Sequence, residues 1–512
     1  MSGRKGKRMR KAKTDNRIWA RVLALLMAAM LVLGVLLSAA EGLAEEAPAR
    51  DRYDLAIDVL FDRQAAQVTE TFEYTNRTGE ALDEMMFSVY ANVLRRQTAV
   101  PVEADEFENA FPEGYAPGGV DFMSVKVNGA AAQWGVQGED ELFLRVECHM
   151  EPGETVVFRF DFYVLLPVYS GAMGIGDLSW RLVNFYPVAA VWDEYLHDFP
   201  MDGYTAMHEP LSSDAADYHV SLSLPETYHL AAPGVIARTP DGMGMVSYEI
   251  DARGIRELAL VFSRKTTERT AQTESGTTIR ALGNAPASAD RMIQAALPAM
   301  NWLEAQFGAY PWDTLTLIET EYLRDGLSHP GVIQVSNGLT GLLDGEQLEN
   351  AIVGLCAQQY FGAIAGNRKN AAPWLSEAIP SFISLLYFEE KNGYNDFMKR
   401  LNAQVLPALS VTIPGGLTPD SESERFVSRM EFDVVVVCRG MAVLYMMRRD
   451  MGEALFMEGL QEYISSAWLG RATAADFLAA MNKVSGRRWD EYLYGQMHTL
   501  DDYVGTGLNW FE

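Results

Sequence analysis

Apolar positions recur at every second residue across much of the first half of the chain. Tyr53, Leu55, Ile57, Val59 and Phe61 alternate with mostly polar neighbours, and so do Val156, Phe158, Phe160, Phe162 and Val164, then Tyr218, Val220, Leu222 and Leu224. A period of two sends successive side chains to opposite faces of an extended strand, so each run predicts a strand with one buried face. Turn-forming clusters such as Glu151-Pro152-Gly153-Glu154 and Thr239-Pro240-Asp241-Gly242 separate the runs. Residues 50–268 are therefore expected to form a β-sandwich.

The pattern changes towards residue 290. The stretch TERTAQTESGTTIRALGNAPAS is polar and built of small residues, with one short apolar interruption, and predicts a linker over 269–289. A helix is expected from Ala289 to Gln306. Between Gln347 and Phe361, Leu348, Ile352, Leu355 and Gln359 recur at helical spacing, and Gly354 and Gln358, four apart, share an adjoining face. A second helix is expected to begin near Trp374 to Ser376 and to present Glu377 in its first turn, where Pro380 is tolerated. A carboxylate there also meets the positive end of the helix dipole and caps backbone donors. From Val434 the chain reads as helical again, and no internal repeat is present. The expected class is α+β, with the sandwich followed by a mainly helical domain over 290–512.

Residues 1–21 hold nine Lys and Arg against one acid, and Val22 to Ala40 is a charge-free, mostly apolar run of nineteen residues. This length is enough to span a bilayer, and the basic flank stays cytoplasmic by the positive-inside rule. The reading is a basic cytoplasmic segment over 1–21 and a signal or signal-anchor helix over 22–44, with a small-residue cleavage site available at Gly42, Leu43 and Ala44. The rest is expected to be extracytoplasmic, either anchored by this single helix or secreted after its removal.

Nine of the 42 basic residues and two of the 69 acidic ones precede Glu45, leaving 33 basic against 67 acidic in the remainder. So acidic a surface argues against nucleic acid and anionic lipid headgroups as partners. Three cysteines, Cys148, Cys356 and Cys438, give no disulfide framework and read as small buried hydrophobes. The seven histidines, His149, His197, His208, His219, His229, His329 and His498, include no pair at a short metal-ligand spacing.

Two helices, with eighteen residues between Gln358 and Glu377, frame this stretch, whose flanks read GLCAQQYFG at 354–362 and WLSEA at 374–378. FGAYP at 307–311, GLSHPG at 326–331 and VCRG at 437–440 occur in the order and with nearly the separations seen in one family. The chain resembles the gluzincin aminopeptidases, the membrane alanyl aminopeptidase type of thermolysin-like zinc peptidases, and the likeness runs from about residue 50 to 500. The resemblance implies a saddle-like β-domain, with NFYP at Asn184 to Pro187 in its layout, followed by a thermolysin-like domain. It also implies roles by position. Gly354 and Gln358 stand where the family has its two zinc histidines, Leu355 where it has the general-base glutamate, and Val437 where it has the tyrosine that stabilises the tetrahedral intermediate. Ser328 replaces the glutamate that grips the substrate amine. Of the ligand set only Glu377 is retained.

Zinc in a hydrolase is held by three protein ligands with a fourth position left for water, and a lone carboxylate does not meet that need. Leu355 takes no proton and Val437 donates no hydrogen bond to an oxyanion. The expectation is thus no catalytic residue, no metal ligand set and no cofactor, with zinc entering only if an unrecognised ligand set exists. Ser328, His329, Gln358, Glu377 and Arg439 are the residues expected to line the former cleft, with Arg439 available to pair with an acid there. The leading reading is an exported pseudoenzyme that binds a peptide or protein, or regulates a partner, without hydrolysis. The alternatives are a zinc aminopeptidase with other ligands and a surface structural or adhesive module with its cleft packed shut. An apolar, ligand-sized cavity beside Gly354, Leu355 and Val437 separates the first reading from the last.

Overall fold

The computed structural model describes residues 50–209, 213–341, 345–413 and 416–499. The basic segment 1–21 and the signal or anchor helix 22–44 lie outside them. Among the described residues no helix is long and apolar enough to cross a membrane.

The alternating runs become strands of one eight-stranded sheet. It contains β1 (Arg52–Leu60), β2 (Ala65–Thr75), β3 (Gly119–Val127), β4 (Ala130–Ala131), β5 (Thr155–Leu165), β6 (Ala216–Pro225), β7 (Val235–Pro240) and β8 (Met245–Ile255), in the order β7-β8-β6-β1-β2-β5-β3-β4. Neighbours are antiparallel except β1 and β6, which run parallel. Val156, Phe158, Phe160, Phe162 and Val164 are all fully buried, as the period of two demands. Two four-stranded sheets complete this half, one around Leu82–Ser88 and Phe143–Met150, the other around Ser179–Val183 and Ala259–Arg264. The Tyr53 ring is stacked on Phe72 and on Tyr218, with centroids 4.2 and 4.7 Å away. Neighbouring strands thus share aromatic area in the core.

The segment expected to be a linker is instead part of a second fold unit. Thr267–Gln272 (β9) and Thr278–Gly283 (β10) form two strands of a five-stranded sheet with β11 (Thr314–Thr320), β12 (Gly326–His329) and β13 (Val332–Ser336), ordered β9-β10-β11-β13-β12. Its polarity has a positional cause. β9 is an edge strand paired only with β10, so half of its residues face water, while the short apolar interruption, Ile279, Ala281 and Leu282, is the buried face of β10 beside parallel β11. The opposite edge is β12, antiparallel to β13.

Helices cover this sheet and build the rest: α1 (Pro286–Phe307), α2 (Gly345–Gln358), α3 (Ala378–Asn392), α4 (Tyr394–Ser410), α5 (Gly440–Met451), α6 (Glu453–Ser466), α7 (Ala474–Ser485) and α8 (Asp490–Thr499). Pro286 occupies the first turn of α1, where its missing N–H costs nothing. Two π-helical turns interrupt the helical pattern. One, Gln359–Ile364, follows α2 directly and contains non-helical Phe361 and Gly362; the other, Asp433–Arg439, leads into α5. Such turns re-aim side chains relative to a regular helix.

The two halves belong to one compact unit, Asp51–Glu512. Arg368 grips Asp202 with contacts of 2.6 and 2.9 Å, Arg324 pairs with Glu106 at 3.0 Å, and buried Arg256 donates to the carbonyls of Ser213 and Ala363. Charged hydrogen bonds of this kind fix orientation where apolar contact alone would allow sliding.

Candidate functional site

A cavity of about 810 Å³ opens between α2, α3, α4 and the edge strand β12. Two helix faces form its walls. From α2 come Gln347, Asn350, Ala351, Gly354, Leu355 and Gln358, and from the start of α3 come Glu377, Ser381, Ser384, Leu385 and Phe388. Each set repeats at three or four residues, which brings its members onto one side of a helix. Val437, on the second π-helical turn, completes the floor.

The expected chemistry of this cavity needs amending. It is ligand-sized but not apolar: Arg324, Asp325, Glu346, Lys399, Arg400, Arg429 and Asp433 also line it. Most of these charges are already engaged. Arg400 contacts Asp396 at 2.6 Å and Glu346 at 2.8 Å while lying over the Phe388 ring, and Arg429 contacts Asp433 at 2.8 Å.

Gln358 and Glu377 border the cavity. Ser328 does not border it. Its hydroxyl donates to the Leu355 carbonyl at 2.9 Å and accepts from the Gln359 amide at 2.6 Å, which ties β12 to α2. Ser328 borders only a small void behind the cleft, with Gln358 and Lys369. His329, expected in the cleft, is 1 % exposed, with Nδ1 donating to Glu257 at 2.9 Å and the Gln334 amide donating to Nε2 at 3.1 Å. Burial pushes the Glu257 carboxyl up, but the adjacent imidazole outweighs it and leaves Glu257 below its ordinary value. Arg439 is 1 % exposed, donates to the Val411 carbonyl at 2.7 Å and does not border the cavity.

Glu377 holds the N-cap position of α3 rather than its first turn, and its side chain makes no capping hydrogen bond. The carboxylate is left facing the cavity. Burial in the concave floor raises its pKa, only partly opposed by Arg429 and Lys369, while Asp433 adds to the rise. Leu355 packs against the edge strand: a Cβ on Gly326 would stand 2.6 Å from Leu355 Cδ1 and 2.7 Å from the Gln334 carbonyl oxygen, and the fixed backbone contact requires glycine there. Beside it Gly354 leaves space, since a Cβ there would meet nothing within 4 Å.

Cys356 is buried with its thiol pushed up to about 12, and burial raises the half-buried Cys438 to about 11. Neither carries the depressed value of a nucleophilic thiolate. Ser381 and Ser384 were missed by the sequence reading, although their spacing from Glu377 is that of one helix face. Arg324, Asp325 and Lys399 carried no such signal, because loop geometry and packing bring them to the cavity.

Residues 294–497 match the Peptidase family M1 domain. No curated protein matches the chain. Among solved structures, the M1 zinc metallopeptidase of Deinococcus radiodurans is 16% identical with a TM-score of 0.62, over 90% of this chain and 94% of that one. A mutant of the Deinococcus radiodurans enzyme bound to a Tyr-Ser-Ala substrate gives 17% identity and a TM-score of 0.60 over 90% and 95%. A two-domain M1 zinc metallopeptidase mutant bound to L-tryptophan gives 18% and 0.63, again over 90% and 95%. These likenesses show that the fold is that of the M1 metallopeptidases.

They also correct the expectation that no cofactor belongs here. The matched domain and the solved neighbours are zinc metallopeptidases, so zinc is the metal that goes with this architecture. The local donor set does not fit that metal: Gly354 offers no side chain, Gln358 offers a neutral amide, and Glu377 is one carboxylate. Among the described residues no group of three or more His, Cys, Asp and Glu has the arrangement to hold a metal ion.

Proposed function

Because the chain carries a Peptidase family M1 domain within the gluzincin aminopeptidase fold, we propose that its cleft binds an extended segment of a peptide or protein without hydrolysing it by the family's mechanism. The observation that carries this reading is the open cavity of about 810 Å³ above Gly354, Leu355, Gln358, Glu377 and Val437. A structural module with a packed cleft would have filled that space with side chains. The walls suit a peptide backbone, since Gln347, Gln358 and Gln404 each carry an amide donor and acceptor along the groove. With Ser328 turned into the frame, no carboxylate stands at the position where the family grips a free amino terminus, and an internal segment is the better fit. The Tyr-Ser-Ala substrate bound to the Deinococcus radiodurans mutant supports a peptide as the class of ligand.

We place the chain outside the cytoplasm, tethered through Val22 to Ala40 or released after cleavage, on the strength of that charge-free run and its basic flank. Membrane fractionation with and without the first 44 residues tests the tether. The binding reading is tested by incubating the full chain with a library of unblocked and blocked peptides, measuring binding and turnover on one sample whose metal content is determined by elemental mass spectrometry. Binding with the peptides recovered intact is the expected result. Turnover that a chelator abolishes would overturn it.

A further inference from the structure

The floor of the cleft is chemically one-sided. Ser381 donates its hydroxyl proton to the Glu377 carbonyl at 2.7 Å, and Ser384 donates to the Ser381 carbonyl at 2.7 Å. With their protons committed to the helix, both hydroxyls offer the cavity only acceptor lone pairs. The Glu377 carboxylate beside them borders the cavity and forms no ion pair within 4 Å among the described residues. Across from these acceptors, Gly354 leaves the gap in which a Cβ would meet nothing within 4 Å. The arginines of the cavity cannot fill the need, since Arg324 is held by Glu106, Arg400 by Asp396 and Glu346, and Arg429 by Asp433.

Resting on the peptide-binding reading above, we propose that the cleft selects a segment bearing a lysine or arginine, whose side chain passes Gly354 and sets its cation against Glu377, Ser381 and Ser384. An ammonium supplies three donors and a guanidinium five, which matches a floor of acceptors, and the methylene stem lies along Leu355 and Val437. The charge of −27 on the chain favours the approach of such a ligand over that of an acidic one.

The test is fluorescence anisotropy on the full chain with alanine-rich peptides, acetylated and amidated, carrying lysine, arginine, norleucine or alanine at the centre. Lysine and arginine peptides are expected to bind about tenfold or more tightly than the norleucine peptide, the difference made by one charge-assisted contact. Raising the salt concentration should shrink that ratio. Glu377→Gln should bring the lysine peptide to the norleucine level, and Gly354→Val should weaken lysine, arginine and norleucine peptides together by closing the entrance. Equal binding of lysine and norleucine peptides, or a lysine preference that survives Glu377→Gln, would overturn the proposal while leaving peptide binding intact. No binding of any peptide would overturn the peptide-binding reading together with it.

Discussion

Gln358 and Gln359 are adjacent, chemically identical, and placed in opposite circumstances. Gln358 faces the cavity with room around it, while Gln359, 0 % exposed, uses both ends of its amide. Its Oε1 accepts from the Tyr310 hydroxyl at 2.5 Å and the Gly331 N–H at 3.1 Å, and its Nε2 donates to Ser328 and to the His329 carbonyl at 2.6 and 2.8 Å. The contrast extends to whole regions. On the cleft side of α2, Gly354, Leu355 and Gln358 border an open cavity, whereas behind it a buried hydrogen-bond network joins α2, β12 and the sheet half through Gln359, His329 and Glu257. Stability is expected to rest on the buried side, where polar groups are desolvated and paired, rather than on the side chains that border the cavity.

The largest effect that would break this contrast lies in the buried pair. His329→Ala leaves the Glu257 carboxylate buried without its partner and is expected to lower stability by about 3 to 5 kcal/mol, measured by denaturant unfolding. A loss below about 1 kcal/mol would mean that the pair is not part of what holds the frame. Gln359→Leu strands several buried polar groups and should cost about 2 to 4 kcal/mol, while Gln358→Ala should stay within about 0.5 kcal/mol. Similar losses for the two would erase the distinction between neighbours.

Acid sharpens the comparison through opposite signs. Buried His208 donates from Nδ1 to the Glu209 carbonyl at 3.0 Å and accepts at Nε2 from Ser423 at 2.6 Å, and desolvation pushes its pKa down to about 3. Its folded value lies below its unfolded one, so its contribution is complete above about pH 6.5 and falls as pH drops towards 3, by up to about 1.4 kcal/mol per unit. Glu377 is raised in the folded state, so its contribution is complete below its ordinary value and is lost as pH rises through the folded one. The wild type should therefore lose stability on acidification, and His208→Gln should flatten that slope. Glu377→Gln should raise stability at neutral pH and do little near pH 4. A small effect of the opposite sign is Gly354→Ala, expected to stabilise the chain by about 0.5 to 1 kcal/mol, because the added methyl meets open space and the helix gains a better former. A destabilised Gly354→Ala would show that the gap is filled.

Much of this was legible in the residues. The period of two in the first half and the helical spacing of Leu348, Ile352 and Leu355 gave the correct faces, since Leu348, Ile352 and Leu355 are all buried while Gly354 and Gln358 border the cavity. The linker expected over 269–289 failed for a physical reason: an edge strand half exposed to water has the composition of a loop, and only its pairing with β10 makes it a strand. His329 and Arg439 were expected in the cleft because sequence order gives proximity along the chain but not the direction of a side chain. β12 turns Ser328 towards Leu355 and His329 towards Glu257, and the π-helical turn before α5 buries Arg439 against Val411.

The sequence by itself determined the two kinds of element, the frame of two helices with eighteen residues between Gln358 and Glu377, and the residue types at Gly354, Leu355 and Gln358. These depend on residue identity and local period, which are properties of the chain alone. Only the tertiary structure decided that the frame encloses an open cavity, that Ser381 and Ser384 lie beside a Glu377 with no ion pair among the described residues, and that the arginines around them are already engaged. Cavity shape and charge pairing arise between elements far apart in sequence, so they exist only once the sheet and the helices have packed.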